Sequence, residues 1–129
     1  MTEQTQSRPV ILLLEDEPEL SKVICTTLER EFDISTVANA EEAMVLLSRR
    51  RFDALVCDHR LPGPMQGLDF LITSIKLQPQ ARRILLTGCI DPESLPNVET
   101  EAQLSACLVK PLHIARLRKV LLESLGRAT

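Results

Sequence analysis

The chain has no CxxC pair, no apolar run long enough to cross a membrane and no excess of basic residues. Each absence removes a class of function. A membrane helix needs roughly 18 or more consecutive apolar residues, and Met1 to Arg8 is too polar for a signal peptide. The expected compartment is therefore cytoplasmic, without a membrane partner. A formal net charge of −3 argues against nonspecific nucleic-acid binding, which needs a clear basic excess. The four cysteines, Cys25, Cys57, Cys89 and Cys107, are expected as free thiols rather than a disulfide or zinc set. Cys25, Cys57 and Cys107 lie in apolar, patterned segments where free cysteine packs as a small hydrophobe, and disulfides are rare in the cytosol. His59 and His113 are isolated and read as ordinary loop or surface residues. There is no internal repeat and no second domain: 129 residues, 44% apolar and 26% charged, fit one domain with one core.

What is present starts at Val10-Ile-Leu-Leu-Leu-Glu15-Asp16-Glu17-Pro18. A short apolar run suits a strand buried on both faces, here about Val10 to Glu15, and Pro18 suits the first turn of a helix. Leu20, Val23, Ile24, Thr27 and Leu28 then keep one helical face. Asp33 to Val37 reads as a second strand. Asn39 is an N-cap for a helix carrying Ala43, Met44 and Leu47 inward, with Arg49-Arg50-Arg51 in its last turn, where cations complement the helix dipole. Ala54 to Cys57 is a third strand, ending at Asp58, and the loop His59 to Gln66 contains Pro62, Gly63 and Pro64. Gly67 leads a helix whose Leu68, Leu71, Ile72 and Ile75 again keep helical spacing. Arg83 to Leu86 is a fourth strand, ending at Thr87-Gly88, and Leu104 to Val109 a fifth, ending at Lys110-Pro111. The last helix, about Ile114 to Leu125, presents Leu117, Val120, Leu121 and Leu125, with Gly126 at its stop. Between Asp91 and Gln103, Pro92 and Pro96 cannot share one helix, so a short helix from near Pro96 or an irregular segment is expected. Strands alternating with helices give βαβ units. The fold class is α/β: a three-layer α/β/α, doubly wound, five-stranded parallel sheet. Residues 1–8 are expected as a disordered lead-in, 9–126 as the domain, and 127–129 as its end or the start of a linker.

In a sheet ordered 2-1-3-4-5, strands 1, 3, 4 and 5 are neighbours, so Glu15, Asp16, Asp58, Thr87 and Lys110 share the C-terminal rim where such sheets bind ligands. Three carboxylates in one pocket are costly to ionise together. A hard divalent cation relieves this, and Mg²⁺ uses one or two carboxylates plus water and substrate phosphate. Lysine suits phosphate as a mobile point charge, threonine adds a hydroxyl, and a carboxylate can become an aspartyl-phosphate. Singly, each residue has a plainer role. Asp16 can cap the first helix, Thr87 can be a turn residue, and Lys110 a surface lysine.

Taken together, Glu15-Asp16, Val56-Cys57-Asp58, Leu86-Thr87-Gly88 and Val109-Lys110-Pro111 resemble a response-regulator receiver domain over roughly Val10 to Leu125. The resemblance implies Asp58 as phosphoacceptor. It implies Mg²⁺, or Mn²⁺ in its place, held by Asp16, Asp58 and the backbone carbonyl of Arg60, with Glu15 acting through water and Glu17 serving as helix-start charge. Thr87 would contact the phosphoryl group, and Lys110 would pair with Asp58 or its phosphate, with a cis Lys110-Pro111 bond as in many members. The domain would be a regulator rather than an enzyme, catalysing only its own phosphoryl uptake and loss. Arg60 and Cys89 would tune the loss. Its phosphodonor would be a sensor histidine kinase or a phosphotransfer protein, and its target an output domain or effector protein. The chain ends fit a stand-alone receiver and equally a receiver cut from a longer regulator.

Four departures qualify that resemblance. Glu15 stands for the commoner aspartate, and the loop after Asp58 is one residue longer, with Pro64-Met65-Gln66 before Gly67. Cys107 occupies the place of a switch aromatic, in a chain without tyrosine or tryptophan whose phenylalanines are only Phe32, Phe52 and Phe70. Pro96 falls in the fourth helix. A readout carried by Gly88 to Gln103 is the expectation. The acids Asp91, Glu93, Glu99 and Glu101, facing the bases Arg116, Arg118 and Lys119, fit either a phosphorylation-dependent homodimer or two solvated faces. The alternative function is a pseudo-receiver, a phosphorylation-independent interaction module. An aspartate-nucleophile phosphatase is disfavoured by Arg60 where its second acid belongs, and a flavodoxin by acids where its phosphate loop belongs.

Overall fold

The computed structural model describes residues 8–88 and 91–127. They form β1 (Val10–Leu14), α1 (Pro18–Leu28), β2 (Asp33–Val37), α2 (Ala40–Leu47), β3 (Ala54–Asp58), α3 (Gly67–Leu77), β4 (Arg82–Thr87), α4 (Leu95–Glu101), β5 (Ala106–Val109) and α5 (Ile114–Ser124). The strands make one parallel sheet in the order β2-β1-β3-β4-β5, as expected. Among the described residues no helix is long and apolar enough to cross a membrane. The lead-in and tail lie mostly outside the described residues. Arg8, assigned to the lead-in, is an exception: its guanidinium donates to the carbonyls of Glu29 and Phe32.

Alternation along the strands sends side chains to two separate cores. Leu12, Leu14, Leu55, Cys57 and Leu85 pack with α2 and α3, through Ala43, Leu47, Phe70 and Leu71. Ile11, Leu13, Val56, Ile84 and Leu86 pack with α1 and α5, through Ile24, Leu28, Leu117 and Leu121. Each is essentially dry, so β1 and β3 have no solvent face and no need for polar alternation. Val98 and Ala102 join the α2–α3 side, although no residue within α4 itself is fully buried.

Several details differ from the sequence reading. On α1 only Ile24 and Leu28 are buried, while Val23 is 50% exposed. On α3 the inward face is Gly67, Phe70, Leu71 and Ser74. Leu68 and Ile72 pack partly buried against the same core, so the inward face is wider than the sequence spacing suggests and takes in Phe70 as well. On α5 Leu122, not Leu125, is buried. Asn39 caps α2 as expected, accepting from the Glu42 amide at 2.8 Å, but α2 ends at Leu47, so the three arginines lie beyond its last turn. Gln78 fastens that turn. It accepts from the Phe52 amide at 2.8 Å and donates to the carbonyls of Leu47 and Arg50 at 3.0 and 2.7 Å.

Arg118 is not available to an α4–α5 dimer face in the way its sequence position suggests. Its guanidinium donates to both oxygens of Glu31 at 2.6 and 2.8 Å, tying α5 to the turn after α1. That hydrogen bond holds Glu31 below the ordinary carboxylate range. The pair is partly exposed, so its contribution is modest and weakens with salt. It is present above the unfolded-state pKa of glutamate and disappears as pH falls through Glu31's lowered value. Denaturation of wild type and Glu31→Gln should therefore show a gap at neutral pH that closes in acid. A gap that stays constant into strong acid would contradict this.

Candidate functional site

Strand register assembles the rim. Leu14 is opposite Cys57, Asp58 opposite Leu86, and Thr87 opposite Val109. The next residue along β1 is Glu15, beside Asp58, and the next along β5 is Lys110, beside the end of β4 at Thr87. Backbone hydrogen bonds carry the ladder past the strand ends: Glu15 donates to the Val37 carbonyl at 3.0 Å, His59 to Leu86 at 2.7 Å and Lys110 to Thr87 at 2.7 Å. The peptide bond between Lys110 and Pro111 is cis.

Lys110 is the cation the acids require. Its ammonium donates to Asp58 Oδ2 at 3.1 Å and Glu15 Oε1 at 3.3 Å, with Glu17 Oε1 at 3.8 Å. Burial alone would lower the Lys110 pKa; the Asp58 hydrogen bond and the charges of Asp58 and Glu15 outweigh it, so the net shift is upward. The Glu15 side chain is fully buried. Burial pushes its carboxyl up, the Glu17 amide at 3.1 Å pulls it down, and the Asp58 charge pushes it up again. Glu17 thus does more than supply helix-start charge: its amide binds Glu15 and its carboxylate approaches Lys110.

Asp16 is exposed and does not cap α1, whose N-cap is Glu17 without a side-chain cap bond. That removes the plainer reading of Asp16. Glu15, Asp16 and Asp58 each present an oxygen within 4.8 Å of the others. Three hard carboxylate oxygens on a rim open to water suit Mg²⁺ or Mn²⁺. Thr87 is buried, which removes the turn-residue reading, and Lys110, drawn into three ion pairs, is not a free surface lysine. Asp58, His59, Arg60, Thr87, Gly88 and Lys110 line one cavity beside this cluster. Arg60 is exposed at its edge, and Cys89 lies outside the described residues.

The loop after Asp58 is closed by its extra residues. Gln66 accepts from the Leu61 amide at 3.1 Å and donates to the carbonyls of Leu61 and Gly63 at 2.9 and 3.0 Å. Gly63, at φ +93°, makes the turn this requires. The loop delivers Gly67 against Asp58, with the Gly67 amide donating to the His59 carbonyl at 3.1 Å. Cys57 lies beneath, its thiol 3.3 Å from the Asp58 carbonyl oxygen. Burial, with the Asp58 and Glu15 charges, raises the Cys57 thiol well above its usual value and keeps it neutral. It is core, as expected. Cys25 and Cys107 are free and half-buried, Cys107 packing on the α2–α3 side.

His59 was not legible as a site residue. Its ring Nδ1 is 3.2 Å from Thr87 Oγ1, so it is not an ordinary loop histidine. Its place directly after Asp58, at a strand end, is the only signal the sequence carries.

With this geometry in hand, residues 11–122 match the family model of the response regulator receiver domain. The chain is 31% identical over 107 residues to the hydrogenase transcriptional regulatory protein HoxA of Cupriavidus necator, covering 83% of this chain and 22% of that protein. It is 31% identical over 122 residues to the response regulator protein PilR of Pseudomonas aeruginosa, covering 92% and 26%. A CheY-like response regulator receiver domain protein from Methanospirillum hungatei superposes with a TM-score of 0.85 at 26% identity, covering 93% of this chain and 95% of that one. The chain spans only about a quarter of the length of these curated relatives.

Proposed function

The chain belongs to the response regulator receiver domain family, and from that premise we propose that it accepts a phosphoryl group on Asp58 in a Mg²⁺-dependent reaction and thereby switches a partner or output domain. The observation that carries this reading is the convergence of Asp58, Glu15 and Asp16 on one rim, with Lys110 bonded to both Asp58 and Glu15. Lys110 orients the Asp58 carboxylate, donating to its Oδ2 at 3.1 Å. A carboxylate oxygen attacks phosphorus, and the donor's leaving group departs with its bonding electron pair, leaving an acyl phosphate. Lys110 and the Thr87 hydroxyl then face the new phosphoryl oxygens. Asp16, Asp58 and the Arg60 carbonyl would hold the metal, with Glu15 through water; when bound, the metal neutralises phosphate charge and orients the donor.

The donor class is a sensor histidine kinase or phosphotransfer protein, and the setting cytoplasmic. HoxA is named as a transcriptional regulatory protein, which suits a receiver that controls an output module. Cys107 stands where an aromatic readout would sit, so the readout is assigned to the stretch around α4. That helix buries none of its own residues, and weakly packed elements are the cheapest to rearrange. With Arg118 bound to Glu31, an α4–α5 homodimer would rest on Arg116 and Lys119.

Incubation with a small-molecule phosphodonor tests this reading. Wild type should gain one phosphoryl group with Mg²⁺ present and none after chelation. A folded wild type that stays unmodified would favour the pseudo-receiver.

A further inference from the structure

We propose that His59 is a positioning residue that holds the Thr87 hydroxyl before phosphorylation and must release it for that hydroxyl to bind a phosphoryl oxygen; this rests on Asp58 being the phosphoacceptor. His59 has little freedom to avoid the role. Its amide donates to the Leu86 carbonyl at 2.7 Å on β4, and its own carbonyl accepts from Gly67 at 3.1 Å at the start of α3. The backbone is thus clamped from both sides, and the half-buried ring lies with Nδ1 3.2 Å from Thr87 Oγ1. Both side chains line the cavity that contains Asp58 and Lys110.

A hydroxyl has one proton to donate. In the tautomer with Nδ1 unprotonated, Nδ1 accepts that proton, and the Thr87 hydroxyl cannot then donate to an oxygen on Asp58. In that state phosphorylation exchanges one hydrogen bond for another, and His59 adds to the cost of the exchange. In a chain with Cys107 at the aromatic's usual place, the histidine supplies a resting-state hold on the threonine from the opposite side, along β3.

The test is titration of the whole chain with beryllofluoride, a phosphoryl mimic, in Mg²⁺. His59→Ala, with His59→Leu as a second variant for folding, should bind roughly three- to tenfold more tightly than wild type, the equilibrium worth of one neutral hydrogen bond. His59→Asn restores an acceptor at similar reach and should return affinity to near wild type. In a Thr87→Val background, His59→Ala should change nothing, because the gain runs through the hydroxyl. Unchanged or weaker binding by His59→Ala and His59→Leu beside a normal wild type overturns this proposal alone, as does tightening that survives in Thr87→Val. A wild type that takes up no beryllofluoride overturns the phosphoacceptor reading and this proposal with it.

Discussion

Asp58→Asn should abolish phosphoryl uptake, to the level of a protein-free control, while the protein remains folded. An amide cannot form the acyl phosphate, and Glu15 is poorly placed to substitute because it is fully buried and engaged by Lys110 and the Glu17 amide. The fold should tolerate the change. Asp58 sits beside Glu15 and Asp16, so removing one charge relieves repulsion, while Lys110 loses one charged partner and keeps Glu15 and Glu17. These effects oppose each other, so the variant should stay folded. Intact mass after phosphodonor treatment and a denaturant melt check the two halves. Residual uptake by Asp58→Asn at a wild-type rate would place the chemistry elsewhere.

The second large effect is structural and comes from a glycine. A Cβ on Gly67 would lie 1.9 Å from the Asp58 carbonyl oxygen and 3.0 Å from Cys57 Sγ. Overpacking a core usually costs about 1–3 kcal/mol. Here the obstacle is the backbone of Asp58 itself, which rotamer changes cannot clear, so Gly67→Ala should cost more than about 3 kcal/mol. It should also slow phosphoryl uptake, because relief requires moving either Asp58 or the start of α3. Gly88 is the control: a Cβ there meets nothing within 4 Å and φ is not left-handed. Gly88→Ala should be neutral or stabilising by about 0.5 kcal/mol. Denaturant midpoints decide the matter, and a Gly67→Ala protein as stable as wild type would show that α3 is not held against Asp58.

The sheet was legible because β1 and β3 are buried on both faces and write themselves as unbroken apolar runs ending in acids. Those acids, Thr87 and Lys110 were legible as a group because parallel register brings consecutive strand ends level. The misses share a cause: they depend on contacts remote in sequence. Arg118 meets Glu31 across 87 residues, and no periodicity reports that. On α3 the spacing of Leu68, Leu71 and Ile72 was legible, but the full burial of Phe70 beside them was not. The longer loop reads as a departure, yet Gln66 within it pins the loop to Leu61 and Gly63. His59 carried no pattern because a lone histidine has none; only the level of β3 against β4 brings it to Thr87.

The most direct test of the central claim is to trap the acyl phosphate by borohydride reduction after phosphodonor treatment and to map the reduced residue by peptide mass spectrometry. Reduction at Asp58, dependent on Mg²⁺, is the predicted result. Reduction at another carboxylate, or at none in a folded protein, would contradict the assignment of Asp58 as the phosphoacceptor of this rim.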